Sequence, residues 1–316
     1  MKCIICLNQD LLEIHVVKEM MIGTRDSFVY IHCKNCDSLQ IRDVPQNLSD
    51  YYPIDYYSFK EESRSGFARK HFTILRNNFA VYKKGFLGKY LNLIKPNPSL
   101  NSMSVINPKK NWRILDVGCG SGELLLHLNT MGFDKLEGID PFLKEEIIYS
   151  NGLKIRNIKL EELRGEWDLI MFHHSFEHIH NPEHILKQVY RLLNVKGYCI
   201  IRRPNLSSYA WRKYGTFWVQ IDAPRHMVIY STKSMKLISK KTGLILFDLI
   251  DDSDGFQFWG SEQYMKNISL YDDESYLKSR KNVIFKKSEL KKFNKDAREL
   301  NKNRDGDQTI YYFKKA

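Results

Sequence analysis

From Trp112 onward, short apolar runs alternate with stretches whose apolar residues recur every three or four positions. That alternation predicts strands interleaved with helices, and so a mostly parallel sheet. The runs place strands at 113–118, 135–140, 155–158, 167–173, 197–202 and 244–250, with a last strand at 309–313. Helices are expected from Ser121 to Met131, briefly after Pro141, from Pro182 to Leu193 and from Ser231 to Lys241. Ser N-caps, a Pro at a first helical position, and Gly132 and Gly243 past the ends mark their limits. Upstream, Phe67, Ile74, Leu75, Phe79, Phe86, Leu87, Tyr90 and Leu91 fall on one stripe. Residues 66–94 therefore read as one helix, stopped by Pro96 and Pro98, with 96–110 as a linker. Residues 254–307 read as an insertion with helical signals at 273–281 and 288–302.

The first 45 residues follow a different logic. Cys3, Cys6, Cys33 and Cys36 form two Cys-x-x-Cys pairs separated by 26 residues. Each pair can turn two thiolates toward one ion, and four thiolates suit tetrahedral zinc in a structural role. The gap exceeds the common ribbon spacing of about 15 to 20 residues. A strand within 26–32, with 38–42 as its partner, fills it. So small a unit draws its folding energy from a metal. A disulfide pair would require an oxidising compartment, and redox pairs a βαβ setting that this stretch lacks. His15 or His32 is a lesser alternative to one of the cysteines as ligand. Residues 46–62 are rich in Tyr, which can glue the module to the next domain or, at Tyr57, line a substrate pocket.

Composition adds bounds. With 43% hydrophobic and 27% charged residues among 316, the chain is an ordinary globular one. No apolar run approaches the roughly 18 residues of a membrane span. The opening Met-Lys-Cys-Ile-Ile-Cys is too short an apolar run for a signal peptide, so a cytoplasmic location is expected. The net charge of +12 raises nucleic acid as a partner. Residues 277–316, however, hold thirteen Lys or Arg against five Asp or Glu, leaving only +4 for the rest. A solvated basic face is the expectation, with RNA, an anionic substrate or a membrane surface as alternatives.

The densest chemistry lies in Ile114–Gly122, Ile-Leu-Asp-Val-Gly-Cys-Gly-Ser-Gly. A strand that enters a glycine turn and a helix N-terminus can hold a nucleotide-like ligand. A dinucleotide fingerprint would need a glycine where Glu123 stands. Asp116, two residues before Gly118, would repel a pyrophosphate and suits a cationic ligand. Asp140 ends the second strand 20 residues after Gly120, the reach needed for ribose hydroxyls.

Asp116-Val-Gly-Cys-Gly-Ser-Gly122 resembles the first motif of the class I S-adenosylmethionine-dependent methyltransferases. Phe176-Glu177-His178, followed by Arg191-Leu-Leu-Asn-Val-Lys-Gly197, resembles the segment that closes that family's fourth strand and opens its fifth, with Phe for Leu and a degenerate turn. The motifs stand in order across 112–250. The resemblance implies an α/β, Rossmann-like, seven-stranded sheet whose last strand is antiparallel, and S-adenosyl-L-methionine as cofactor. It implies that Asp116, Gly118, Cys119, Gly120 and Gly122 grip the methionine end and that Asp140 and Pro141 meet the ribose. Glu161, in the 160–163 turn, would lie against the adenine, and His174 would stand on the cofactor side.

Methyl transfer also requires an in-line nucleophile and a group to take its proton, for which histidine is suited. His226 is the first choice for the base and His178 the second. Asp222–Ser231 resembles the Pro-Arg-His-Leu segment of small-molecule and glycan-pathway methyltransferases. It also aligns loosely with the His-Glu-His segment of sugar C-methyltransferases, which carry an N-terminal zinc domain and keep a Glu–His pair in the substrate pocket. Arg225 replaces that Glu, which points to O-methylation or to an anionic substrate held by Arg225. Glu177 and Trp218 are further substrate contacts, since aromatic faces suit sugars and flat rings. The expected function is methyl transfer to a small molecule: a sugar, nucleotide sugar or glycan precursor. An RNA methyltransferase is the alternative, although no Asn-Pro-Pro-Tyr follows strand four. A binding protein with lost catalysis is third, and intact Asp116, glycines and Asp140 argue against it. The expected division is a zinc module at 1–45, a Tyr-rich linker and helix at 46–110, a core at 111–253 plus 308–316, and a basic helical insertion at 254–307.

Overall fold

The computed structural model describes residues 1–52, 67–278 and 284–316 and, for 67–70, the backbone alone. Tyr57 lies outside the described residues. The N-terminal unit contributes β1 (Leu12–Lys18), β2 (Ser27–Cys33) and β3 (Ser38–Ile41). Three helices follow: α1 (Phe67–Tyr82), α2 (Phe86–Ile94) and α3 (Pro98–Ser102). The alternating region supplies β4 (Ile114–Val117), α4 (Glu123–Thr130), β5 (Leu136–Ile139), β6 (Ile147–Ile148), β7 (Lys154–Arg156), β8 (Trp167–His173), α5 (Pro182–Leu192) and β9 (Leu193–Pro204). It continues with α6 (Tyr209–Tyr214), β10 (Val228–Ile229), α7 (Thr232–Thr242), β11 (Leu244–Asp251), α8 (Phe256–Met265), α9 (Lys287–Lys302) and β12 (Gln308–Lys315).

The large sheet has the order β11-β12-β9-β8-β4-β5-β7-β6. Pairs β4–β5, β4–β8, β5–β7 and β8–β9 are parallel, and β12 runs antiparallel to both of its neighbours. The chain reverses its direction of travel across the sheet at β4, so the carboxyl ends of β4 and β8 frame the crevice where an open α/β sheet binds ligands. Among the described residues the sheet has eight strands, where seven were expected. The extra one, β6, stands where a short helix was expected after Pro141 and pairs antiparallel with β7. The expected 66–94 helix is two helices, because Lys83 and Gly85 take positive φ between them. α3 occupies part of the supposed linker, capped by the Asn97 side chain, which accepts from the Leu100 amide at 3.0 Å. α8 was unannounced because it buries Gln257, Gly260, Ser261 and Gln263 beside Phe258 and Tyr264, which leaves no apolar stripe. Residues 273–278, part of an expected helical signal, form turns, and 279–281 lie outside the described residues. No helix among the described residues is long and apolar enough to cross a membrane.

The N-terminal unit is not a free appendage. Its sheet, β1-β2-β3-β10, is completed by a strand from the far side of the sequence boundary, with Gln40 opposite Val228 and Leu39 opposite Ile229. Tyr30, Leu39 and Ile41 share a core with Trp218, Val219, Ile221, Phe258 and Tyr264. At the junction Arg225 is fully buried. Its Nε and Nη2 donate to the two oxygens of Asp222 at 3.0 and 2.6 Å. Nη2 also donates to Glu19 Oε1 at 2.9 Å, and Nη1 to the Tyr51 carbonyl at 2.6 Å. Glu19 in turn accepts the amides of Met21, Ile22, Gly23 and Thr24 at 2.8–3.0 Å. Removing one partner of such a buried ionic group leaves the others uncompensated, at a cost of about 3–5 kcal/mol. Arg225→Ala is accordingly expected to lose about that much stability in urea unfolding, and a loss under about 1 kcal/mol would show that the junction does not depend on it.

Candidate functional site

β4 delivers Asp116 to the interior and then breaks at Gly118, which has φ +71°. A Cβ at Gly118 would come within 2.4 Å of the Ser175 Cβ. Only glycine lets the loop after β8 close over this turn, where Ser175 Oγ donates to the Val117 carbonyl at 2.6 Å. Gly122, with φ +81°, opens α4. The Gly120 amide donates to Asp140 Oδ2 and the Phe142 amide to Asp140 Oδ1, both at 2.9 Å. The glycine turn, Asp116 and Asp140 thus form one surface, with Pro141 directly after Asp140. Burial, then the nearby Asp140, raises the Asp116 carboxyl to about 8. Burial likewise raises Asp140, opposed by its two backbone amides. A pair of buried carboxyls, with no cationic side chain acting on Asp116 among the described residues, fits a ligand that carries its own positive charge.

Across from the turn, the loop after β8 brings Glu177 and His178 toward the 222–230 segment. Glu177 is fully buried, and neither of its oxygens has a hydrogen bond among the described residues. His174 Nδ1 lies 3.5 Å and His226 Nε2 3.9 Å from Glu177 Oε1. Burial alone would raise this carboxyl, but the neighbouring His174 and His226 hold it down to about 2. His226 Nδ1 donates to the Gln220 carbonyl and His178 Nδ1 to the Arg225 carbonyl, each at 2.8 Å. In the neutral form of either ring these bonds leave Nε2 as the acceptor. The rings meet edge to face at 4.9 Å, and burial, then His226, lowers His178 to about 4. Asp222 Oδ2 lies 3.8 Å from His226 Nε2. Glu177, His178 and His226 bring their ligand atoms within 4.8 Å of one another.

Several expected roles change. Arg225 has no face toward a pocket, since its guanidinium is engaged by Asp222, Glu19 and Tyr51. Trp218 is 1% exposed and its Nε1 donates to Asp307 at 3.0 Å, so it is a core residue and not a stacking platform. Glu161 faces His184 at 3.4 Å, and Leu160 beside it is buried in the core. His174 is at the site but is committed to Arg202 as well as Glu177. Tyr52, within the Tyr-rich 46–62 stretch, reaches His178, with its OH 3.4 Å from Nδ1 and its ring stacked on Phe142. Asp222 was also missed, although its place four residues before His226 is a readable signal.

The four cysteines are free thiols whose sulfurs lie within 4.8 Å of one another, with Cys3–Cys36 and Cys6–Cys33 at 3.5 Å. A tetrahedral ion with bonds of about 2.3 Å needs sulfurs about 3.8 Å apart, so the cluster is compatible with a metal.

A family profile described as a methyltransferase domain matches residues 86–248, just over half of the chain. The chain belongs to this methyltransferase family. S-adenosylmethionine, the cofactor expected from the sequence, carries positive charge, which is the charge that the surface around Asp116 suits. The chain is similar to proteins named ubiquinone biosynthesis O-methyltransferase. The one from Rickettsia bellii is 26% identical over 113 residues, 33% of this chain and 47% of that relative. The one from Pelagibacter ubique is 25% identical over 169 residues, 46% of this chain and 70% of that relative. The chain thus spans about half the length of the Rickettsia relatives it matches. Among solved structures it is similar to an S-adenosylmethionine-dependent methyltransferase of Thermotoga maritima titled a possible histamine N-methyltransferase. That match has a TM-score of 0.43 and 17% identity over 68% of this chain and 87% of the other. An Archaeoglobus fulgidus methyltransferase matches at a TM-score of 0.42 and 17% identity, covering 73% and 100%.

The raised Asp116 carboxyl has a measurable consequence. In the free methyltransferase the folded state holds this proton up to about 8, whereas the unfolded chain releases it near 4. The group's contribution to stability is therefore lost as pH rises through that window. A bound cation removes the reason for the proton. Adenosylhomocysteine, which keeps the amino-acid ammonium, is expected to release up to one proton on binding at pH 7. Calorimetry in buffers of different ionisation enthalpy reads this release, which should vanish in Asp116→Asn. Equal proton release by both proteins would refute the assignment.

Proposed function

We propose that the methyltransferase acts on a hydroxyl of a small acceptor, a sugar or sugar-linked glycan precursor, with His226 as the base. The observation that carries this reading is the convergence of buried Glu177 with the free Nε2 of His226 beside the glycine turn. S-adenosylmethionine, when bound, supplies an electrophilic methyl group on its sulfonium. The protein's part is to hold the acceptor oxygen in line and to take its proton onto His226 Nε2. Anionic Glu177 and Asp222 flank that nitrogen and stabilise the imidazolium that results. His178, kept neutral by burial, orients the acceptor through its Nε2. Oxygen as the methylated atom draws support from the O-methyltransferase names of the relatives. The stacked Tyr52 and Phe142 rings, with Phe142 largely exposed, offer an apolar face next to His178 for a sugar or ring. The lysines of α9 pair in part with Asp296 and Glu299, which supports a solvated face over a nucleic-acid surface.

His226→Gln is expected to lose about 10²–10⁴-fold in turnover while adenosylhomocysteine affinity stays unchanged. Native turnover in that variant rules His226 out as the base. We also assign the four-cysteine cluster to structural Zn2+. Freshly purified protein is expected to contain at least one zinc per chain, and metal-free, folded protein would contradict the assignment.

One observation favours a second reading of the same side chains. Glu177 is a buried anion whose oxygens have no hydrogen bond among the described residues, and its ligand atom lies within 4.8 Å of those of His178 and His226. A divalent cation held by Glu177, His178 and His226 would supply the missing charge and acidify a bound hydroxyl. Mn2+ separates the two readings, since a thiolate cluster does not favour it. Proton transfer to His226 predicts turnover independent of added Mn2+, and a cation site predicts turnover that saturates with it.

A further inference from the structure

The strand pair β1–β2 carries a second set of metal-type ligands that the thiolate cluster and the methyl-transfer site leave unused. In the antiparallel register Glu13 stands opposite His32 and His15 opposite Tyr30, so Glu13, His15 and His32 share one face of the pair. Cys33, the next residue along, belongs to the other face, which is why neither histidine joins the four thiols. His15 Nε2 lies 3.7 Å from one Glu13 oxygen and His32 Nδ1 4.0 Å from the other, and the three ligand atoms fall within 4.8 Å of one another.

Both of those ring nitrogens are buried and, among the described residues, without a hydrogen-bond partner. His32 is only 5% exposed, so its unpartnered nitrogen has no access to bulk water as a substitute. The opposite nitrogen, Nε2, donates to Asp37 Oδ1 at 2.8 Å. That bond fixes the tautomer and leaves Nδ1 with its lone pair directed at Glu13 and His15. A carboxylate behind a histidine is the usual support for a metal-bound imidazole. Trp211 of α6 holds both rings edge-on at 5.4 and 5.7 Å, so the face is shaped as well as charged. The Lys34 ammonium now sits against Glu13 and is the group that a cation would displace.

We propose that Glu13, His15 and His32 form a second metal site, with water completing the coordination of a divalent ion of the zinc, nickel or cobalt class. Two imidazoles and one carboxylate favour those ions over Mg2+ or Ca2+ and leave open positions. The site lies one residue pair from Tyr30, whose hydroxyl donates to the His226 carbonyl at 2.8 Å. A filled site stiffens the strand that holds the His226 backbone.

Ni2+ titration of the zinc-loaded full chain, followed by tryptophan fluorescence and calorimetry, tests this. Wild type is expected to bind Ni2+ with quenching of the adjacent Trp211. His15→Gln and Glu13→Gln, both partly exposed and mild substitutions, are expected to weaken that event at least about tenfold, and Asp37→Asn by about 10–100-fold. Thiolate-bound zinc and adenosylhomocysteine affinity should be unchanged in all three, which shows that they are folded. Glu177→Gln should keep the quench. Undiminished Ni2+ affinity in His15→Gln, no quench in wild type, or a quench lost in Glu177→Gln but kept in His15→Gln would each overturn the proposal.

Discussion

Arg225 is the hinge on which the proposed acceptor side of this methyltransferase is built. A guanidinium with no solvent exposure is tolerable only if its charge and its donors are met, and two carboxylates and one carbonyl meet them. Glu19 comes from the N-terminal unit, Asp222 from the segment before β10, and the carbonyl from Tyr51. The ion group therefore binds three distant stretches of chain at one point. Its effect extends to the chemistry. The Arg225 carbonyl fixes His178, the His226 carbonyl accepts from Tyr30, and the Met227 amide donates to the Glu177 carbonyl at 2.8 Å. Glu177, His178 and His226 are thus held, directly or through one bond, by the backbone beside Arg225.

Charge is distributed unequally across the crevice. On the side expected to hold the cofactor, burial raises both Asp116 and Asp140, nearby Asp140 raises Asp116 further, and the arrangement favours a cation. On the acceptor side Glu177 is pulled the other way by the surrounding imidazoles, while His178 is kept neutral. Carboxyls of the same chemistry thus sit on either side of the Gly118–Ser175 contact in opposite states. The glycine turn brings them together because no side chain stands at Gly118 to hold the β8 loop away.

Local order was legible in the sequence where local rules decide it. β8 was read to the residue, and α5 and α7 to within one at either end, because Pro182, Ser231 and Gly243 are punctuation with a physical cause. The meeting of Asp116, Gly118 and Asp140 was legible for a similar reason, since each lies in or faces one turn. The acceptor side was legible in its histidines but not in its roles. Arg225 and Trp218 carry chemistry that suits a substrate, and only long-range packing against Glu19 and Asp307 turns them inward. Tyr52 and α8 were hidden for the same reason, since a pairing with His178 or a buried polar helix has no local period. The N-terminal unit was read as a separate module because its cysteines are contiguous in pattern, whereas its sheet is completed by residues almost 190 positions later.

The N-terminal unit is expected to shape the acceptor side through Glu19 and Arg225 and to leave the cofactor surface unchanged. Turnover and adenosylhomocysteine affinity of Glu19→Gln, measured side by side, test it most directly. Loss of one of the charges holding Arg225 should shift the His178 and His226 backbone enough to lower turnover about 10²-fold, with cofactor affinity unchanged. Wild-type turnover in folded Glu19→Gln, or a parallel loss of cofactor affinity, would contradict it.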